Sequence, residues 1–153
     1  MNRDADLQAA RAHLGQVLGT SPWYSLDQAR IQAFADATGD QQFIHVDPNA
    51  AAASPFGQTI AHGFLTASLI AAMARETLDF LADGRLFINY GFDRLRFLTP
   101  VPSGGRVRAQ FTLDAVDPRG DQQLLYTLDT QIELEGATKP ALAATWLCLT
   151  GME

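Results

Sequence analysis

The chain lacks most of the signals that assign a protein to a specialised class. Cys148 is its only cysteine, so no intramolecular disulfide can form, and a reducing, cytoplasmic setting is expected. Lysine is almost missing, because ten of the eleven basic residues are arginine, and seventeen acidic residues leave a net charge of −6. Such a chain has no broad basic face with which to neutralise phosphates, which argues against general nucleic-acid binding. No apolar run is long and clean enough for a membrane span. From Met1 to Leu18 acids are mixed with basic residues, without an apolar core or a small-residue cleavage site, so no secretory leader is expected. Repeats, low-complexity tracts and linkers are also absent. One domain over residues 1–153 is therefore expected, long enough to bury a sizeable core.

What is present changes texture near residue 85, with helical signals before it and strand signals after it. Ser25-Leu26-Asp27-Gln28 reads as a capping box, in which the Ser25 hydroxyl and the Gln28 amide satisfy early N–H groups. Ile31, Phe34, Ala35 and Thr38 follow at helical spacing, and Gly39 can take the left-handed conformation that ends a helix. Asp40 then begins an irregular segment. Asp47-Pro48 reads as a second helix start, closed by Ser54-Pro55-Phe56-Gly57. From Ile60 to Leu81 apolar residues and alanines leave almost no polar face before Arg75 and Glu76, the mark of a surrounded helix. Further on, Val107, Ala109, Phe111 and Leu113 alternate with polar residues, as do Leu124, Tyr126, Leu128, Thr130, Ile132 and Leu134. Asp117 to Asp121 reads as the hairpin turn between them. Leu86 to Phe97, irregular at Gly91, and Ala141 to Thr150 add two more strands. The expected class is α+β, an antiparallel sheet wrapped around a long central apolar helix.

The chemistry-bearing residues cluster in two short segments, Gly39 to His45 and Ile60 to Phe64. The first offers a carboxylate and an imidazole. The second offers backbone N–H groups at a helix start opened by Gly63, where a carbonyl can approach closely. Together they can activate water and stabilise charge on an acyl oxygen. A carboxylate is a weak base at its ordinary value of roughly 4, so burial of Asp40 near the apolar helix is expected to strengthen it. Each residue has a plainer reading. Asp40 can be a turn residue bonding the following backbone, His45 a hydrogen-bonded core imidazole, Gly63 a packing glycine, His62 a cap or loop support, and Asp47 a helix cap. His45, Asp47 and His62 make a weak set of metal ligands, and no metal is expected. Cys148 reads as a small packed residue.

Phe34-Ala35-Asp36-Ala37-Thr38-Gly39-Asp40, Ile44-His45-Val46-Asp47-Pro48, Ile60-Ala61-His62-Gly63-Phe64-Leu65 and Arg96 to Val101 together resemble the MaoC-like dehydratases of the hot-dog fold, over most of residues 22 to 113. That family includes (R)-specific enoyl-CoA hydratases, whose motif typically reads Asp-x-Asn-Pro-x-His. Here Gln42 and Phe43 stand at the Asn and Pro positions, a variant similar to the nodulation-protein-N-like branch. The resemblance implies hydration of trans-2-enoyl thioesters or the reverse dehydration, on a CoA or acyl-carrier thioester, in a homodimer without a cofactor. It implies Asp40 and His45 as the water-activating pair and the Gly63 N–H as oxyanion donor. Gln42, Phe43, His62 and Phe64 would meet the substrate. Arg94 and Arg96, with Arg106 and Arg108, form two i, i+2 arginine pairs suited to phosphates of a carrier or, alternatively, to a solvated sheet face. A hot-dog thioesterase and a noncatalytic acyl-thioester-binding protein remain as alternatives.

Overall fold

The computed structural model describes residues 3–79 and 86–151. In chain order these form α1 (Arg3–Arg11), β1 (Val17–Thr20), β2 (Tyr24–Leu26), α2 (Gln28–Thr38), α3 (Phe43–Val46), α4 (Pro48–Ala52), α5 (Gly63–Ser68), α6 (Ile70–Thr77), β3 (Phe87–Phe97), β4 (Gly105–Arg119), β5 (Gln123–Leu134) and β6 (Leu142–Thr150). The six strands make one antiparallel sheet in the order β1-β4-β5-β6-β3, with β2 also paired to β4. The alternation read in β4 and β5 is realised: Val107, Ala109, Phe111 and Leu113 face the core, paired across to Leu134, Ile132, Thr130 and Leu128 in that order. Trp146 of β6 sits at the centre of the core, its ring flanked by Phe87 and Phe111 and its Nε1–H donating to Asn89 Oδ1 at 3.0 Å. The irregularity expected at Gly91 is a register shift between Asn89 and Gly91, and a second follows between Phe92 and Arg94. No helix among the described residues is long and apolar enough to cross a membrane.

Several local expectations are corrected. The central helix is two segments, because the Ser68 hydroxyl donates to the Leu65 carbonyl at 2.7 Å and competes for the acceptor the Leu69 N–H would use. The Leu69 N–H turns to Thr66 O instead, at 3.3 Å, which makes a tight turn before α6 resumes. Phe80 and Leu81 lie outside the described residues. Nor is the helix surrounded within one chain: Phe64 is 66% exposed, and Ser68, Ala72 and Arg75 continue its open stripe. The capping box gives way to Asp27 alone, whose Oδ1 accepts from the Arg30 N–H at 2.8 Å. Ser25 is held in β2 opposite Arg106, so the helix starts later than its hydroxyl can reach. The hairpin turn is confined to residues 120–122, since Asp117 and Pro118 stay paired to Leu125 and Leu124. Four elements before residue 85 were not expected at all: α1, β1, β2 and the single turn of α3.

Candidate active site

Gly39 ends α2 at φ 78, its N–H bonded to Ala35 O, and turns the chain into the Asp40 loop. That loop is braced from below. Asp36 Oδ1 accepts from Gln41 Nε2 at 2.8 Å and from Gln32 Nε2 at 2.9 Å, and these bonds, the Gln41 one foremost, hold the Asp36 carboxyl below its ordinary value. Asp40 itself is exposed, with the Gln42 N–H approaching its Oδ1 at 3.5 Å, so the burial expected of it is not supplied by this chain.

His45 lies on the single turn of α3, where the sequence suggested irregular chain, and is only 7% exposed. Its Nδ1 is 2.7 Å from the Ile60 carbonyl. A carbonyl accepts only, so Nδ1 carries the proton, and in the neutral ring Nε2 is left with a lone pair. His62, 2% exposed, stacks on His45 with centroids 3.8 Å apart and planes at 25°. By the same logic its Nε2 donates to the Asp40 carbonyl at 3.0 Å, while Nδ1 is buried without a partner among the described residues. The Phe34 ring also packs against His62, tilted at 53° with centroids 5.0 Å apart. The fold thus brings Asp40, His45 and His62 together, with polar atoms within 4.8 Å of one another. Near-parallel stacked rings send their lone pairs alongside each other, whereas metal ligands must converge on one point. Asp47, the third ligand considered from sequence, is occupied in capping α4, its Oδ1 accepting from Asn49 and Ala50 N–H at 3.0 Å each.

Gly63 is the first residue of α5, ahead of the first backbone bond of that helix, Thr66 N–H to His62 O at 3.2 Å. Its N–H is one of the donors a helix start leaves without an internal partner. A Cβ built on Gly63 would meet ring atoms of Phe97 at 2.9 Å, which is the spatial reason for glycine here. Gly63 and His45 share the wall of a cavity of about 310 Å³, whose lining includes Ile60, Thr66, Phe97, Leu98 and Val101. In the sequence, Phe97, Leu98 and Val101 are marked only by the family resemblance. No local pattern marks them as lining, because their position depends on β3 delivering its C-terminal end over Gly63.

The remaining sequence candidates lie outside that cavity wall. Gln42, Phe43 and Phe64 are exposed at the starts of α3 and α5, Phe64 edge-on to Phe97 at 5.4 Å. The four arginines do not form one cluster. Arg106 pairs with Glu135 and Arg108 with Glu133, both guanidinium groups lying over Trp23, so this pair takes the solvated sheet-face role. Arg94 and Arg96 sit on β3, three strand spacings or about 14 Å across the sheet, and no acid pairs with either among the described residues. Cys148 is fully buried, and that burial pushes its thiol up to about 12, in keeping with a packing role.

A larger cavity, about 420 Å³, lies between α1, β1 and the end of α6, away from these groups. It contains none of the paired donors and acceptors just described.

Known proteins resemble the chain in sequence and in fold. Residues 9–134 match the model of the MaoC like domain. The chain is 47% identical over 139 residues to Nodulation protein N of Rhizobium leguminosarum bv. viciae, covering 90% of this chain and 86% of that protein. It is 46% identical over 140 residues to 3-hydroxyacyl-thioester dehydratase Z of Mycobacterium tuberculosis, covering 92% and 90% of the two. The solved (R)-hydratase from A. caviae superposes with a TM-score of 0.70 at 28% identity, covering 88% of this chain and 94% of that one. The sheet wrapped on α5 and α6 is accordingly a hot-dog fold, and the chain belongs to the MaoC-like domain family.

Proposed function

We propose that this protein is a hydro-lyase that adds water to trans-2-enoyl-CoA or acyl-carrier thioesters to give the (R)-3-hydroxyacyl thioester, or catalyses the reverse dehydration. The observation that carries the reading is His45, a buried imidazole whose Nδ1 is committed to Ile60 O, facing the same cavity as Gly63. His45 Nε2 accepts a proton from a water that the Asp40 carboxylate also holds. The water oxygen bonds to C3 of the enoyl group, and the C2–C3 π electrons move onto the thioester oxygen as an enolate. The Gly63 N–H and the positive end of α5 stabilise that oxygen. Collapse of the enolate takes the water's proton at C2, so one water supplies both hydroxyl and hydrogen. The step needs no organic cofactor and no metal ion.

Gln42 and Phe43 stand at the edge of the Asp40 loop, and with His62 and Phe64 they shape acyl selection. Arg94 and Arg96, exposed on β3, would meet carrier phosphates. The reading includes a homodimer. β3 is an edge strand carrying exposed Ile88, Tyr90 and Phe92, with exposed Leu86 just before it, contiguous with the open stripe of α5 through a groove formed by Phe64, Ser68, Ala71 and Phe92. An apolar edge of this kind is an interaction surface, and a second copy would bury it. Asp40→Asn and His45→Ala should each abolish turnover of a trans-2-enoyl-CoA while leaving the circular-dichroism spectrum intact. Full activity in either variant refutes the water-activating pair.

A further inference from the structure

Gln28 was read from the sequence as a helix cap, yet its amide does something else. Gln28 Nε2 donates to the backbone carbonyl of His45 at 2.7 Å, and its Oε1 accepts from the Thr59 hydroxyl at 2.6 Å. The amide has one workable orientation, since a flipped group would set oxygen against the His45 carbonyl. Thr59 is buried and precedes Ile60, whose carbonyl receives His45 Nδ1–H and whose N–H donates to Ile44 O at 3.0 Å. At its far end, α2 leads into Asp40, whose carbonyl receives His62 Nε2–H, and His62 stacks back on His45. Helix α2 is therefore tied at both ends to the imidazole stack.

We infer that Gln28 is a positioning residue, which closes this ring and fixes the tautomer and direction of the His45 imidazole. The inference rests on the reading of His45 as the water-activating base. If the Gln28 bonds are lost, Thr59 and Ile60 are free to shift relative to α3, the Nδ1–H to Ile60 O bond loosens, and Nε2 no longer presents a fixed lone pair. Misplacement of a reacting group by about 1 Å costs up to about a hundredfold in rate.

Gln28→Glu keeps the shape and the acceptor for Thr59 but faces the His45 carbonyl with a second acceptor. Gln28→Met keeps the reach and removes both bonds, and serves if the charged variant does not fold. Steady-state kinetics on a trans-2-enoyl-CoA should show kcat lowered by about ten- to a hundredfold, with KM changed by less than about twofold. Nitrogen-15 NMR of the full-length protein should show His45 Nε2 losing its purely unprotonated signature as the second tautomer becomes populated. An unchanged His45 tautomer in a folded variant overturns the role of Gln28, whatever turnover does. A wild-type rate retained by His45→Ala would instead overturn the catalytic reading, and the NMR result would still decide the role of Gln28.

Discussion

Gly63→Ala separates packing from chemistry at the helix start. The added methyl would lie 2.9 Å from Cδ1 and Cγ of Phe97 and 3.0 Å from Cδ2, so either the ring or the α5 terminus must move. Phe97 is 46% exposed and can swing outward, which puts the cost near the lower end of the overpacking range, about 1 kcal/mol. For a domain of this size that is a fall of about 2–4 °C in melting temperature. Turnover should fall further, because a shifted helix start misaims the Gly63 N–H, and one such donor is worth about 3–4 kcal/mol. Adding Phe97→Ala removes the clash and allows a cleaner comparison. In that background Gly63→Ala keeps the N–H, while Gly63→Pro deletes it. Proline is tolerated there because Gly63 is the first helical residue and His62 is extended at φ −60, ψ 138. The kcat of the proline variant, measured by loss of enoyl-thioester absorbance, should lie about 10²–10³ below that of the alanine variant at similar stability. Equal rates in the two would show that the Gly63 N–H is not the oxyanion donor.

Two further outcomes follow from the surface. Arg94→Glu and Arg96→Glu should raise KM for an acyl-CoA with a smaller effect on a short thioester lacking the nucleotide, and an equal effect on both would remove phosphate binding as their role. Phe64→Glu places a charge on the open helix stripe beside β3 and should shift the protein from dimer to monomer in sedimentation analysis; a wild-type that is already monomeric would contradict the proposed pairing of β3 edges.

Long periodic elements were legible in the sequence because burial alone dictates them. β4 alternates from Arg106 to Asp114 and β5 from Gln123 to Glu133, and α2, α4 and the Gly39 turn carry their own start and stop chemistry. The short strands β1 and β2 were missed because three or four residues give no period, and it is β4 that recruits them. The helix break at Leu69 depends on a serine hydroxyl choosing a carbonyl, a competition that no apolar pattern records. At the site, Asp40, His45 and Gly63 were visible as residue types at short spacing. Their supports were not. The Ile60 carbonyl is backbone, the His45–His62 stack joins residues far apart in sequence, and Gln28 exchanged a local cap for partners 17 and 31 residues away. Asp40, expected to be buried, is exposed because the Gly39 turn carries it to the rim of the chain.

The stereochemistry of the product tests the central claim most directly. The full-length protein should be incubated with trans-2-enoyl-CoA esters of graded chain length, and the products resolved on a chiral phase. The account predicts net hydration to the (R)-3-hydroxyacyl-CoA for at least one chain length, lost in His45→Ala. An (S) product, release of free CoA thiol without hydration, or tight binding without turnover across the series would contradict it.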